Sequence, residues 1–280
     1  MKRKLKALYG LKWDPFSRDV PVEALHRSAL AELLCWRTEH VLLEEGGFAA
    51  VLGEPGMGKS ACLRMLEQHL QHSSNALVAV IEHASGSVSS FYRELGALFG
   101  VQLTPRNRWG GFKALRACWM EHMDSTLLRP VLLIDEAQQM NPTVLTELRL
   151  LSSTRLDSRV ILSVVLAGDR RLEDSLRREE LVALGSRLRI RIVLESLEKD
   201  DLLALLTHRL ESAGGQALLT PGLKTTLAER AAGNPRVLLS MGQELLMMAV
   251  RQEQKQLDEK LFLEVFGGED RQPRGKRRRA

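Results

Sequence analysis

The chain has 280 residues, of which 44% are hydrophobic and 27% are charged, and its formal net charge is +5. This is the composition of an ordinary globular protein, and the length allows a large α/β domain together with a smaller one. No apolar stretch approaches the roughly 18 residues that a bilayer-crossing helix needs, and no signal-peptide core follows the first basic residues, so we expect a cytoplasmic protein without a membrane segment.

The three cysteines, Cys35, Cys62 and Cys118, are scattered along the chain. An odd number of separated cysteines favours reduced thiols with packing roles over a disulfide framework or a metal site.

The first predicted strand, the apolar run 48–52, leads into a glycine-rich turn that fits the pattern G-x-x-x-x-G-K-[ST] and opens a helix near Lys59. Glycines let the backbone curl until several N–H groups point at phosphate oxygens. The pattern indicates a nucleoside triphosphate site in which Lys59 reaches the β- and γ-phosphates and Ser60 ligates Mg²⁺. The candidate nucleotide-binding residues of the turn are Gly53, Glu54, Pro55, Gly56, Met57, Gly58, Lys59, Ser60 and Ala61.

A second apolar run, 131–134, ends in two carboxylates and suits a buried parallel strand that opens onto a ligand crevice. We expect Asp135 to hold Mg²⁺, directly or through water. Glu136 is the better candidate for polarising the water that attacks the γ-phosphate. Asn141 then caps a helix predicted over 143–152.

Short apolar runs alternate with amphipathic stretches up to Leu194, which predicts an α/β fold with a mostly parallel five-stranded sheet. The predicted strands are 48–52, 77–81, 131–134, 161–166 and 190–193. After Leu194 only helices are predicted, at 198–213, 221–232, 235–253 and 258–266. We therefore expect a nucleotide-binding domain over 1–195, a small helical domain over 196–266 and a basic tail over 267–280.

Basic residues concentrate at both ends of the chain. Residues 267–280 hold six basic and two acidic side chains, and Lys2, Arg3, Lys4 and Lys6 lie at the other end. Such arms suit a polyanion, most often nucleic acid, although a solubilising tail would look the same. The segment 104–111, which contains Arg106, Arg108 and Trp109, is predicted as a loop whose arginines pair with phosphates while Trp109 lies along a sugar or base; a packed tryptophan is the alternative.

Together these motifs resemble the AAA+ ATPases, and within them the group that includes the ExeA-type secretion ATPases and the transposition regulators of the MuB, TnsC and TniB kind. The segment 9–16, Y-G-L-K-W-D-P-F, is similar to an N-terminal segment of the family that lies against the base. The resemblance implies that Trp13 and Phe16 contact adenine, whereas an aromatic pair that fixes the chain to the core would give the same pattern.

The resemblance also implies residues that sense the γ-phosphate. Asp169, after the fourth predicted strand, takes the place of a polar sensor and would act through water or the metal. Arg187 is similar to the arginine finger that completes a neighbouring subunit's site, with Arg189 and Arg191 as alternatives. Arg236, in G-N-P-R, resembles the sensor at the start of a lid helix.

The resemblance implies an ATPase that uses Mg²⁺ and forms a homo-oligomer, and it leaves two functions open. In the first, the oligomer binds duplex DNA without sequence preference, recruits a transposase and releases the DNA on hydrolysis. In the second, it assembles a secretion or envelope complex and binds no DNA. Proteins of the second kind usually continue into a membrane span and a peptidoglycan-binding region, whereas this chain ends in arginines, so we favour the first.

Overall fold

The computed structural model describes residues 2–73, 75–82, 86–103, 107–155 and 158–267. The helices are α1 Lys2–Tyr9, α2 Ala29–Arg37, α3 Lys59–His72, α4 Val88–Leu98, α5 Arg108–Glu121, α6 Pro142–Leu151, α7 Arg170–Leu176, α8 Val182–Gly185, α9 Lys199–Ala213, α10 Pro221–Arg230, α11 Pro235–Gln252 and α12 Glu259–Phe266. The strands are β1 Phe48–Gly53, β2 Ala76–Ile81, β3 Arg129–Ile134, β4 Ser153–Thr154, β5 Arg159–Val160, β6 Ser163–Gly168 and β7 Leu188–Leu194.

The α/β unit, residues 27–195, is built on five parallel strands in the order β2-β3-β6-β1-β7. All six residues of β6 are buried, as are the first five of β1, which explains why both segments are almost wholly apolar. β6 and β7 lie on opposite sides of β1 in the sheet, so the strand order reverses beside β1. A ligand crevice is expected at the carboxyl ends of strands at such a point.

The five predicted strands and the α/β class are confirmed, with boundaries shifted by one or two residues. The predicted helix starts also hold, because capping is a local interaction. Asn141, Thr220, Asn234 and Asp258 each accept a hydrogen bond from a backbone N–H of the helix that follows. The short antiparallel pair β4–β5 was not predicted, since two-residue strands leave no periodic pattern.

The helical unit contains residues 2–26 together with residues 196–267. This differs from the expected division at residue 195, which placed the N-terminal segment in the nucleotide-binding domain. The physical reason is burial: Leu5, Leu11 and Phe16 lie in one hydrophobic core with the helices α9 to α12. Backbone and side-chain bonds add to this, as Lys12 N–H donates to Ala213 O at 3.0 Å and the Tyr9 hydroxyl donates to Gln254 O at 2.6 Å.

No helix in the described ranges is both long and apolar enough to cross a membrane. Cys62 is buried on α3, and this burial raises the pKa of its thiol to about 12, which fits the expected packing role.

Candidate nucleotide-binding site

The glycine-rich turn lies between the end of β1 and the start of α3, as predicted. Gly56 and Gly58 have φ angles of 95° and 96°, a region that residues with a Cβ rarely adopt. Gly58 occupies the N-cap position of α3 and has no side chain to cap it, so the first N–H groups of the helix are left for a ligand. At Gly53 a Cβ would lie 2.8 Å from the carbonyl oxygen of Leu194, so this position also requires glycine.

Lys59 folds back over the turn. Its Nζ donates to the carbonyl oxygens of Gly53 at 2.7 Å and Glu54 at 3.3 Å, and the residue is only 6% exposed. A buried ammonium whose partners here are neutral carbonyls is a favourable neighbour for an anion, because a phosphate would supply the opposite charge.

Ser60 and Asp135 meet at the carboxyl ends of the strands although 75 residues separate them in the chain. The Ser60 hydroxyl donates to Asp135 Oδ2 at 2.5 Å. Asp135 follows β3, where its backbone N–H still pairs with Ile81 O of β2 at 3.0 Å, so the carboxylate sits at a fixed point of the sheet edge. A hydroxyl and a carboxylate are oxygen ligands of the kind Mg²⁺ takes alongside substrate phosphates, and the pair therefore fits this cation.

Glu136 is held in a defined position by neighbours that the sequence analysis did not identify. Its backbone is left-handed, with φ 51° and ψ 37°, and its Oε2 accepts from Gln138 Nε2 at 2.6 Å. The other end of Gln138 accepts the backbone N–H of Asp169 at 3.3 Å. A Cβ on Gly168 would lie 2.8 Å from Gln138 Oε1, so the glycine leaves room for this contact. Gln138 thus connects the segments that follow β3 and β6.

Asp169 caps α7 and forms an ion pair with Arg171. The carboxylate accepts from Arg171 N at 2.9 Å and from the guanidinium at 2.6 Å. This hydrogen bonding lowers the pKa of Asp169, with a smaller contribution from the charge of Lys59. The sequence analysis expected Asp169 to act through water or the metal. Arg171, two residues on, adds a compensating positive charge that was missed, because a helix N-terminal arginine carries no distinctive pattern.

The three candidate finger arginines differ in their surroundings. Arg189 pairs with Glu45 and Arg191 pairs with Glu173, both on the surface of the α/β unit. Arg187 is half-buried at the start of β7, where its carbonyl accepts from Phe48 N.

Arg236 lies in the first turn of α11 in the helical unit and is exposed. Asn234 accepts its backbone N–H at 2.9 Å, and Gly233 before it has φ 81°. The segment G-N-P-R therefore starts a helix as expected.

The expected contact of Phe16 with adenine does not fit the structure. The ring is 1% exposed, and a Cβ on Gly242 of α11 would lie 2.4 Å from it, so Phe16 packs inside the helical unit. Trp13 is half-buried and packs at the edge of the same core. Phe16 thus fixes the N-terminal segment to the helical unit, which is the alternative that the sequence left open.

The expected loop at 104–111 is wrong from Arg108 onward, because Asn107 caps α5 by accepting Gly110 N–H at 2.8 Å. Residues 104–106 lie outside the described residues. The residues after Gly267, which include most of the basic tail, also lie outside them, and the structure does not describe the side chains of the basic residues in α1.

Comparison with known proteins agrees with this geometry. Residues 42–176 match the AAA domain family. This part of the chain therefore contains an AAA domain, in which the phosphate loop joins a parallel sheet. Among curated relatives, General secretion pathway protein A of Aeromonas hydrophila is 32% identical over 82% of this chain and 42% of its own length. ATP-dependent target DNA activator B of Escherichia phage Mu is 30% identical over 56% of this chain and 47% of its own length.

This chain spans less than half the length of either curated relative. Solved structures support the fold alone. Cdc6p from Pyrobaculum aerophilum has a TM-score of 0.71 at 18% identity, covering 90% of this chain and 70% of its own. The ORC2 protein of Aeropyrum pernix, in its ADP form, has a TM-score of 0.74 at 16% identity, covering 92% and 72%.

Proposed function

We propose that this protein binds ATP with Mg²⁺ and hydrolyses it to ADP and phosphate. The observation that carries the proposal is the contact between Ser60 Oγ and Asp135 Oδ2, 2.5 Å, beside the buried ammonium of Lys59. Two oxygen ligands from distant parts of the chain and one cation meet where the strands end. That combination suits a triphosphate and its metal, and the sheet does not need these side chains for its own hydrogen bonding.

Different residues of the site would bind the phosphates, hold the metal and activate the attacking water. The Lys59 ammonium and the backbone N–H groups of residues 53–61, apart from Pro55, would bind the phosphates, while Ser60 and Asp135 would hold Mg²⁺, which would neutralise charge on the phosphate oxygens. Glu136 accepts a proton from the attacking water, and Gln138 fixes its carboxylate. Asp169, neutralised by Arg171, would orient that water through a hydrogen bond.

We further propose that hydrolysis depends on a homo-oligomer. Arg187 of one copy would approach the γ-phosphate of its neighbour, since a planar guanidinium stabilises the charge that develops on the transferred phosphoryl group. Arg236 would register the same phosphate from the helical unit, and Trp13 would lie near the base. ATP would then favour one arrangement of units and copies over others.

We propose that the ATP-bound oligomer serves DNA transposition by capturing duplex DNA and recruiting a transposase, with hydrolysis causing release. The support is the similarity to ATP-dependent target DNA activator B, a name that joins the nucleotide to target DNA. A secretion or envelope-assembly ATPase that binds no DNA is the second candidate. It is favoured by the longer match to General secretion pathway protein A, over 82% of this chain.

The test compares wild-type protein with Glu136→Gln, and with Glu179→Gln as a control at an exposed carboxylate. Glu136→Gln should bind ATP normally, turn over slowly and accumulate ATP-bound assemblies on duplex DNA, seen by electron microscopy with and without DNA. Turnover equal to wild type would contradict the role of Glu136. If ATP-driven assembly is the same with and without DNA, the transposition function is contradicted and the secretion function is favoured.

A further inference from the structure

A groove of about 660 Å³ lies on the α/β unit between α5 and the end of α6 with the hairpin β4–β5. It is separate from the phosphate loop and shares no residue with it. Many of its lining residues are basic or aromatic, including Arg108, Trp109, Phe112, Arg116, Arg149 and Arg155.

Among the described lining residues the groove is positive, because the one carboxylate there, Glu147, is already paired. Glu147 is 3% exposed, accepts from the Tyr92 hydroxyl at 2.9 Å and is paired with Arg108. Within the described ranges no carboxylate forms an ion pair with Arg149 or Arg155. Arg155 has a left-handed backbone, φ 53°, at the turn between β4 and β5. The groove therefore offers guanidinium groups to an anionic ligand.

The aromatic part of the groove is a flat, accessible platform. Trp109 is 65% exposed and stacks in parallel on Phe112, with ring centroids 5.3 Å apart and an interplanar angle of 8°. Lys113 Nζ lies 5.4 Å from the Trp109 ring, and the Arg116 guanidinium lies 4.9 Å from the Phe112 ring. A large exposed ring flanked by cations offers a surface on which a base or sugar can stack beside a phosphate.

We infer that this groove binds the backbone of a nucleic-acid strand, with Arg149 and Arg155 on phosphates and Trp109 against a sugar or base. Alternating positive charge and an aromatic plane match the alternating phosphate and base of a strand. An acidic peptide would satisfy the arginines but would leave the exposed ring without a partner. The inference rests on the proposed DNA-binding function and gives it a surface.

The experiment measures binding of fluorescently labelled duplex and single-stranded DNA in Mg-ATP over a series of salt concentrations. Trp109→Ala should weaken binding by roughly 5-fold to 150-fold, as removal of one aromatic stack does, while Trp109→Phe should retain most of the affinity. The pair Arg149→Ala with Arg155→Asn should reduce the slope of log affinity against log salt by about 1.8, or about 0.9 for each phosphate that the protein no longer neutralises. Asn is chosen because it tolerates the left-handed backbone.

Arg230→Ala, at an exposed arginine of the helical unit, is the control. ATP affinity and thermal unfolding should match wild type in every variant, which excludes a folding defect. If wild type binds DNA and the groove variants bind it equally, with the same salt slope, the groove assignment is overturned while the proposed function stands. If wild type with ATP binds no DNA, the DNA-binding function itself fails and the groove assignment with it. Binding of poly-Glu but not of DNA by wild type would identify an acidic peptide as the ligand and overturn the assignment.

Discussion

Replacing Lys59 with methionine should remove ATP binding without harming the fold. The ammonium is 6% exposed and its bonds in the structure go to the carbonyls of Gly53 and Glu54. Methionine has a similar length and removes a charge that is costly to bury. The nucleotide-free variant should therefore unfold at the wild-type temperature or slightly above it.

With nucleotide the two proteins should differ strongly. Hydrogen bonds from an ammonium to the β- and γ-phosphates contribute about 1.5–3 kcal/mol each, so their loss should weaken ATP binding at least 100-fold. At an ATP concentration 100 times the wild-type Kd, binding stabilises wild type by about 2.7 kcal/mol. For a unit spanning residues 27–195 this raises the unfolding midpoint by about 5–11 °C. The variant should gain no more than about 2 °C at the same concentration.

Thermal unfolding with and without Mg-ATP, together with calorimetric titration, measures both effects. Lys260→Met, at an exposed lysine of the helical unit, is the matched control and should keep the full shift. An unchanged ATP affinity in Lys59→Met would refute the phosphate-binding role. A loss of more than about 2 kcal/mol of stability without nucleotide would show instead that Lys59 is needed to hold the turn together.

Three further substitutions test other parts of the structure. Arg171 lowers the pKa of Asp169, so the pair stabilises the fold above the ordinary aspartate pKa of about 3.9 and loses that effect as pH falls through the lowered value. In urea unfolding at neutral pH, Arg171→Ala should therefore have a lower free energy of unfolding than wild type, and the two values should converge in acid. A stability difference that does not depend on pH would contradict the pairing. Gly242→Ala places a Cβ 2.4 Å from the Phe16 ring and should destabilise the helical unit by about 1–3 kcal/mol in thermal unfolding, with partial recovery in the double variant with Phe16→Leu. A stabilised Gly242→Ala would argue against this packing. Arg187→Ala should keep ATP binding but lose the rise of turnover with protein concentration, and a rise equal to wild type would exclude it as the finger.

Features that depend on neighbouring residues in the chain were predictable from the sequence. The turn 53–60 is specified by its glycines, and the starts of α6, α10, α11 and α12 by their capping residues. The strands β1, β3 and β6 were predictable because their runs are apolar and almost wholly buried, whereas β2 and β7 are only partly buried. Parallel strands then bring their carboxyl ends together, which is why Ser60 and Asp135 could be expected to meet.

Features that depend on tertiary contacts were not predictable. The Gln138 contact with Glu136 and with the backbone of Asp169 needs β3 and β6 side by side, which no local pattern encodes. Phe16 shows the same limit, since an apolar side chain carries no information about which core it joins. The N-terminal segment was therefore placed in the wrong compact unit.

The measurement that tests the central claim most directly is a structure determined with Mg²⁺ and a non-hydrolysable ATP analogue. We expect the phosphates within the turn 53–60, the Lys59 ammonium moved from the carbonyls toward them, and the cation between Ser60 Oγ and Asp135. A nucleotide bound elsewhere, or a turn still closed on Lys59 at saturating analogue, would contradict the proposed site.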